Sequence, residues 1–241
     1  MKYILSLSGG KDSLAMLLLV MEKKLPLDRV VFYDTGMEFQ AIYNIIDRVK
    51  PMVEDYGAFL DILRPQNSFL FDMLVKPVHT STDKYGYDWC GGCCRWQTSC
   101  KVSIINKYLN QFDEYTQYVG IAADEPTRIR YDNHKVYPLV DAHMTEADCL
   151  AYCRARGFTW EEDGVDLYDV LDRVSCWCCA NKNLKELRNM YHFLPKYWDY
   201  LKGLQSRIDR PFKSSTGKTI FDLEERFKEE DRQMSIFDMV S

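Results

Sequence analysis

Hydrophobic and polar positions alternate in blocks that read as strand, helix, strand from the start of the chain. Tyr3 to Leu7 is a short apolar strand, Leu14 to Lys24 a helix ended by Pro26 and Asp28, and Arg29 to Tyr33 a second strand. Between residues 38 and 56 the apolar positions Phe39, Ile42, Ile45, Ile46, Val49 and Val53 recur at the helical period. Phe59 to Leu63 is a third strand closed by Pro65. Val102 to Phe112 is helical, and Tyr115 to Ala122 is a further strand. Met144 to Arg156 is a helix opened by a capping box, Thr145 to Asp148, and stopped at Gly157. Beyond about residue 160 the strand pattern stops. Val165 to Leu171, Leu184 to Phe193, Tyr197 to Arg207 and Ile220 to Arg232 read as helices. The order predicts an α/β fold: a doubly wound parallel sheet over residues 1–160, and a helical C-terminal region over 161–241 that carries a second cysteine cluster.

The chain has 241 residues, enough for a sizeable core without cross-links. A 46% apolar share excludes disorder, and no run of about 18 apolar residues marks a membrane span. The net charge of −5 argues against a generally basic, nucleic-acid-coating surface, although a local basic groove is compatible with it. Charges precede the short apolar run at Leu14 to Val20, and Met21-Glu22-Lys23-Lys24 is no signal cleavage site, so a cytoplasmic protein is expected. A homo-oligomer is expected.

Seven of the nine cysteines fall in two windows: Cys90, Cys93, Cys94 and Cys100, then Cys176, Cys178 and Cys179. Bunched thiols in a non-secreted chain point to metal or redox chemistry rather than disulfides. Cys149 and Cys153, four apart in a helical pattern, read as packed core.

The first loop carries the sharpest chemistry. Ser8-Gly9-Gly10-Lys11-Asp12-Ser13 joins strand one to helix one. Two glycines let the backbone approach a phosphate, and the helix adds free N–H groups and its positive dipole end. Lys11 adds a cation, and Ser8 and Ser13 add hydroxyls. Neither this loop nor Gly217-Lys218-Thr219 has Walker A spacing; the latter reads as a turn before a helix.

This loop resembles the PP-loop of N-type ATP pyrophosphatases, members of the adenine nucleotide alpha hydrolase superfamily. Three further stretches resemble that superfamily's phosphoadenosine phosphosulfate (PAPS) reductase-like branch. They are Asp34-Thr35-Gly36 after strand two, Gly120 to Glu125 with Arg128, and Tyr137-Pro138-Leu139-Val140-Asp141. The resemblance implies an ATP site made by Ser8, Gly9, Gly10, Lys11, Asp12, Ser13, Asp34, Thr35, Gly36, Gly120 and Arg128. It implies catalytic roles for Lys11 and Asp12, Asp12 helping to hold Mg²⁺, and cleavage of ATP between its α and β phosphates. Cys93-Cys94 with Cys176-x-x-Cys179 resembles the signature that holds a 4Fe–4S cluster in adenylyl-sulfate reductases. Cys90-x-x-Cys93 with Cys176-x-x-Cys179 suits a four-cysteine zinc site equally by spacing, Cys90 with Cys94 is another first pair, and reduced thiols without metal are a third reading. Trp89, Trp96 and Trp177 flank these thiols.

Two departures shape the functional expectation. No cysteine follows Cys179, where sulfonyl-cleaving reductases carry a catalytic thiol, and the PP-loop is intact where such reductases degrade it. The expected function is an ATP pyrophosphatase that adenylylates a substrate for sulfur insertion, as in tRNA thiolation or DNA phosphorothioation. The alternatives are an adenylyl-sulfate or PAPS reductase, a nucleotidyltransferase of the sulfate adenylyltransferase or FAD synthetase kind with structural zinc, and a nucleotide-sensing module. A nucleic-acid or sulfur-donor partner is expected. His79, His134, His143 and His192 show no ligand spacing. Nine Lys and Arg residues from Lys182 to Lys218 make the helical region locally basic. Gln233-Met234-Ser235-Ile236-Phe237 is open to two readings: an apolar hook on the body, or a disordered tail resembling the sliding-clamp-binding peptide.

Overall fold

A computed structural model describes residues 1–79, 83–91, 98–130 and 132–240; His79, Asp83, Thr98, Ser99 and residues 234–240 contribute backbone only. In chain order the elements begin β1 (Lys2–Leu7), α1 (Lys11–Glu22), β2 (Arg29–Tyr33), α2 (Gln40–Asp55) and β3 (Phe59–Leu63). Next come α3 (Phe69–Leu74), β4 (Pro77–His79), β5 (Asp83–Tyr85), α4 (Thr98–Leu109), β6 (Tyr115–Tyr118) and β7 (Lys135–Val136). The chain continues with α5 (Pro138–Asp141), α6 (Glu146–Arg154), β8 (Glu161–Glu162), β9 (Val165–Asp166) and α7 (Leu167–Val170). It ends with α8 (Leu184–Phe193), α9 (Pro195–Gln205) and α10 (Ile220–Val240).

They divide into two compact units. The first takes Met1–Gln66 and Cys100–Glu161, the second Asn67–Ser99 and Glu162–Ser241. The expected boundary near residue 160 therefore needs a companion. The segment from Asn67 to Ser99 belongs with the C-terminal region, not with the sheet. Its own backbone bonds close it locally, Gly86 N to Lys76 O and Tyr87 N to Asp72 O, and its Trp89 is buried edge-on against Phe212 at 4.7 Å.

The first unit is built on a five-stranded sheet ordered β3-β2-β1-β6-β7, every pairing parallel. Adjacent strand residues face opposite sides of a sheet, and Ile4 and Leu5 are both fully buried, so both faces of β1 are covered. Leu109 of α4 packs with Ile4 and Val31 on one of them. Nine residues of α1, from Lys11 to Val20, are buried. This explains why its sequence shows an apolar run rather than a stripe: the helix has no solvated face to mark. The chain runs outward from β1 through β2 to β3, then returns to β6 on the other side of β1. The order reverses between β1 and β6, and the loops after these strands flank that switch point, where open α/β sheets bind their ligands.

The second unit is mainly helical but does contain strands. It includes the antiparallel β4–β5 pair, and β8 and β9, with two residues each, correct the expectation that strands end near residue 160. The β8–β9 turn is Asp163-Gly164, both at positive φ, a sequence signal for a hairpin. An Asn183–Glu186 capping box opens α8, and Tyr191, Trp198 and Phe227 join α8, α9 and α10 in one aromatic core. The α10 backbone stays helical through Gln233 to Phe237, so the supposed tail or hook continues a helix. Among the described residues no helix is long and apolar enough to cross a membrane.

Candidate functional site

The loop between β1 and α1 is fixed by its own hydroxyls. Ser13 Oγ donates to Gly10 O at 3.0 Å, accepts from Ser8 N at 3.0 Å, and lies 2.9 Å from Ser8 Oγ. Gly9 sits at φ +78°, and a Cβ there would lie 2.7 Å from Ile42 Cγ2. Glycine is therefore required twice over, by conformation and by space. Two buried groups brace the loop from the protein side. Trp160 Nε1 donates to Gly9 O at 2.7 Å, and Cys153 Sγ donates to Lys11 O at 3.5 Å. No side chain caps α1 at Gly10, which leaves its first-turn N–H groups facing a potential anion.

Lys11 is the electrostatic centre of the loop. Its Nζ donates to Glu146 and lies 3.4 Å from Asp12 Oδ1. Burial works against its charge, but the Glu146 hydrogen bond and the two carboxylate charges outweigh burial and hold it above the ordinary lysine value. Asp12 is pushed up, first by burial and then by the charges of Glu146 and Glu125, against the pull of Lys11. Its Oδ1 is buried and accepts no hydrogen bond. Arg128 pairs with Glu125 and feels Asp12 and Glu146 as well. Two cations and three carboxylates thus gather at the switch point. Asp124 Oδ1 accepts from Glu146 N at 3.0 Å, which ties the loop after β6 to the start of α6. Gly120 lets that loop approach α1: a Cβ on it would lie 3.0 Å from Ser13 Cα.

Asp34, Thr35 and Gly36 form a closed turn after β2. Asp34 Oδ1 accepts from Gly36 N at 2.8 Å and Tyr43 OH at 2.9 Å, and its Oδ2 accepts from Arg64 Nε at 3.0 Å. Thr35 Oγ1 accepts from Met37 N and donates to Glu38. These residues organise their loop, and their side chains are occupied with it.

The cysteines divide differently from their sequence windows. Cys90, Cys176, Cys178 and Cys179 belong to the second unit, as does the segment that holds Cys93 and Cys94; those two lie outside the described residues. Cys100 belongs to the first unit, where it accepts from Tyr33 OH at 3.6 Å. Cys149 and Cys153 are fully buried, and burial pushes both thiols up to about 12, as packed core cysteines should be. Cys176 and Cys179 share a turn, Cys179 N donating to Cys176 O at 3.1 Å. Among the described residues no three His, Cys, Asp or Glu side chains gather to hold a metal, so Cys90 does not complete such a group with Cys176 and Cys179.

Two features around these thiols fit a negatively charged, sulfur-rich group. Burial pulls Lys182 below the ordinary lysine value, while Glu186 and the cysteines of the 176–179 turn act against that pull. The second feature is Trp89, whose Nε1 is buried beside Cys90 with no hydrogen-bond partner. A buried cation and an orphaned N–H donor suit the anionic sulfur surface of a thiolate-held cluster.

Glu146, Trp160 and Ile42 carry no sequence signal for these roles. Glu146 lies 135 positions from Lys11, and its only local mark is the capping box that starts its helix. With this geometry in hand, comparison with known proteins decides the family. The phosphoadenosine phosphosulfate reductase domain matches residues 2–179, which take in the whole sheet and end on Cys179. The chain belongs to that family, a nucleotide-utilising one. It is also 26% identical over 209 residues to an uncharacterized protein of Methanocaldococcus jannaschii, covering 81% of this chain and 40% of that protein. A 26% identity over 208 residues relates it to an uncharacterized nin region protein of Escherichia phage lambda, covering 76% of this chain and 67% of the relative. The chain thus spans well under half the length of the first relative.

Proposed function

We propose that this family member is an ATP pyrophosphatase that adenylylates an acceptor for sulfur insertion. The observation that carries the reading is the intact, braced loop at Gly9 and Gly10, with the buried Lys11 ammonium at the uncapped start of α1. A substrate oxygen would attack the α-phosphorus of ATP as the bond to the β-phosphate oxygen breaks. The loop N–H groups and Lys11 would take up the charge that develops on departing pyrophosphate. A sulfur nucleophile would then displace AMP from the acceptor.

Three carboxylates beside Lys11 and Arg128 would repel bare polyphosphate. Mg²⁺ resolves this, and the buried Asp12 Oδ1 suits it, since Mg²⁺ is commonly held by one or two carboxylates together with substrate phosphates. The thiols assigned to a 4Fe–4S cluster are Cys93, Cys94, Cys176 and Cys179; Cys90 is set aside because it does not group with the last two. Bound there, such a cluster would supply a thiophilic, redox-active iron centre. A nucleic-acid acceptor and a sulfur-donor partner are part of this proposal, as is a sliding-clamp contact through Gln233 to Phe237, which would require that helical stretch to unwind.

The test is pyrophosphate release from ATP by wild type and Lys11→Ala. Loss of about 10²- to 10³-fold is expected for removal of one main charge stabiliser. Undiminished release by the variant overturns the reading. A reductase that takes a preformed sulfonucleotide releases no pyrophosphate from ATP, so the same assay separates the two activities.

A further inference from the structure

The turn at Lys213 to Lys218 has no part in the function proposed above. Lys213 N donates to Lys218 O at 2.9 Å, Thr216 N donates to Lys213 O at 3.1 Å, and Gly217 takes φ +68° to close the loop. The turn borders a cavity of about 360 Å³ within the second unit. Arg210, Lys213, Ser214, Ser215 and Asn181 supply its polar wall, Phe212 its floor, and Gly91 and Ala180 the backbone on the cysteine side. Among the described residues that line it there is no carboxylate. The chain carries a net charge of −5, and the Lys11 and Arg128 group, by contrast, is faced by carboxylates.

The wall is also held in place. Lys213 Nζ donates to Ala180 O at 2.7 Å and to Lys182 O, clamping the turn to the loop that follows Cys179. Arg210 Nε donates to Ser214 Oγ at 3.2 Å, which holds the guanidinium and the hydroxyl together among the residues that line the cavity. Planar guanidinium, serine hydroxyls and an amide, with no competing carboxylate, are the chemistry that recognises a tetrahedral oxyanion.

We propose that this cavity is a binding site for a tetrahedral oxyanion of the phosphate class, either free or as the phosphodiester of a nucleic acid. It stands on geometry in the second unit alone and requires no turnover of ATP. Arg210 is the principal ligand, Ser214 and Ser215 are secondary ones, and Lys213 is the strut that fixes the turn.

The test uses the full chain without ATP. Thermal unfolding is followed in inorganic phosphate or sulfate against chloride at matched ionic strength, since a ligand of the native state raises the midpoint. In parallel, a fluorescein-labelled single-stranded oligonucleotide is titrated by anisotropy, with phosphate as competitor. Arg210→Gln is expected to weaken phosphate binding about tenfold, as loss of a charge-assisted hydrogen bond should, and Ser214→Ala by less. Lys185→Gln, on α8 outside the cavity, is expected to leave it unchanged. Arg210 and Ser214 are both exposed, so neither variant should unfold, and Ser214→Ala tests the cavity alone if Arg210→Gln does.

Oligonucleotide binding that phosphate competes away and Arg210→Gln weakens supports the esterified source. Phosphate binding without oligonucleotide binding supports the free one. No effect of phosphate, sulfate or oligonucleotide on wild type, or equal binding by wild type and both cavity variants, overturns the proposal. These readouts stand apart from the pyrophosphate assay, so the two proposals fail separately.

Discussion

In the first unit the indole N–H of Trp160 donates to Gly9 O at 2.7 Å, while in the second the indole N–H of Trp89, equally buried, has no partner. The contrast extends to the surroundings of each ring. Around Trp160, the hydroxyls and the lysine of the loop are bonded within the protein, Ser13 to Ser8 and Gly10 and Lys11 to Glu146, and one acceptor, the buried Asp12 Oδ1, is left over. In the second unit a lysine is buried beside three cysteines, and the Trp89 donor, packed on Phe212, is left over. A buried N–H without an acceptor costs about 1–3 kcal/mol. In the first unit the leftover group is an acceptor beside a lysine, within a loop whose backbone and hydroxyls are braced by the protein. In the second the leftover group is a donor, the Trp89 N–H. The two units thus leave groups of opposite kind unsatisfied, an acceptor in one and a donor in the other.

The largest expected effect separates the two outright. Cys179→Ser, made and purified without oxygen, should lose the brown colour and the iron expected of wild type, yet bind ATP within about twofold of it, since single-site effects at distinct sites are largely independent. Iron content and equilibrium dialysis with ATP check the two halves. A wild type that is colourless and carries stoichiometric zinc would replace the cluster with a structural metal. Loss of ATP binding along with the iron would break the division of labour drawn here.

A smaller effect probes how far the first loop is preformed. Gly9→Ala places a methyl 2.7 Å from Ile42 Cγ2 at a backbone φ of +78°. The left-handed conformation alone costs about 1–2 kcal/mol for an L-residue, and the Ile42 side chain must also move. ATP affinity should fall about tenfold or more and the ligand-free protein should melt several degrees lower, as about 1 kcal/mol moves the midpoint of a chain this size by about 2–4 °C. Unchanged affinity would mean that the loop forms only around its ligand.

How legible each unit was in the sequence follows the same contrast. The boundaries of β2 and β3 are those read from Arg29 to Tyr33 and Phe59 to Leu63: β2 is a buried parallel strand with an apolar run, and β3, an edge strand with no fully buried residue, is marked by its apolar residues around Asp61 and by Pro65. The loop at Ser8 to Ser13 was legible because its turn needs glycine at a fixed place, Gly9 at φ +78° with no room for a Cβ against Ile42. What braces that loop was not legible: Glu146 and Trp160 reach it from 135 and 151 residues away, and no local pattern encodes a partner at that separation. The fifth strand, β7, and the pairs β4–β5 and β8–β9 have two or three residues per strand, too few for alternation to register. The transfer of Asn67–Ser99 to the second unit was hidden for a related reason. It rests on Trp89 meeting Phe212, a contact between an aromatic beside one cysteine window and a residue beyond the other.

The smallest effect is also the most direct test of the contrast between the tryptophans. Trp160→Phe and Trp89→Phe each remove a similar ring volume from a buried site, so the packing loss is similar in both. They differ in what happens to hydrogen bonds. Trp160→Phe strands the carbonyl of Gly9, at an added cost of about 1–3 kcal/mol. Trp89→Phe strands nothing in the metal-free protein, because the donor it removes was already unsatisfied. Metal-free Trp160→Phe should therefore unfold at the lower denaturant concentration, by an amount worth about 1–2 kcal/mol beyond Trp89→Phe. Iron loading should reverse the order of sensitivity: Trp89→Phe should then lose iron to a chelator faster than Trp160→Phe, since only the former removes a donor beside the sulfur ligands. Equal destabilisation of the metal-free variants would show that the Trp89 N–H finds an acceptor in solution, and the contrast between the two indoles would fall.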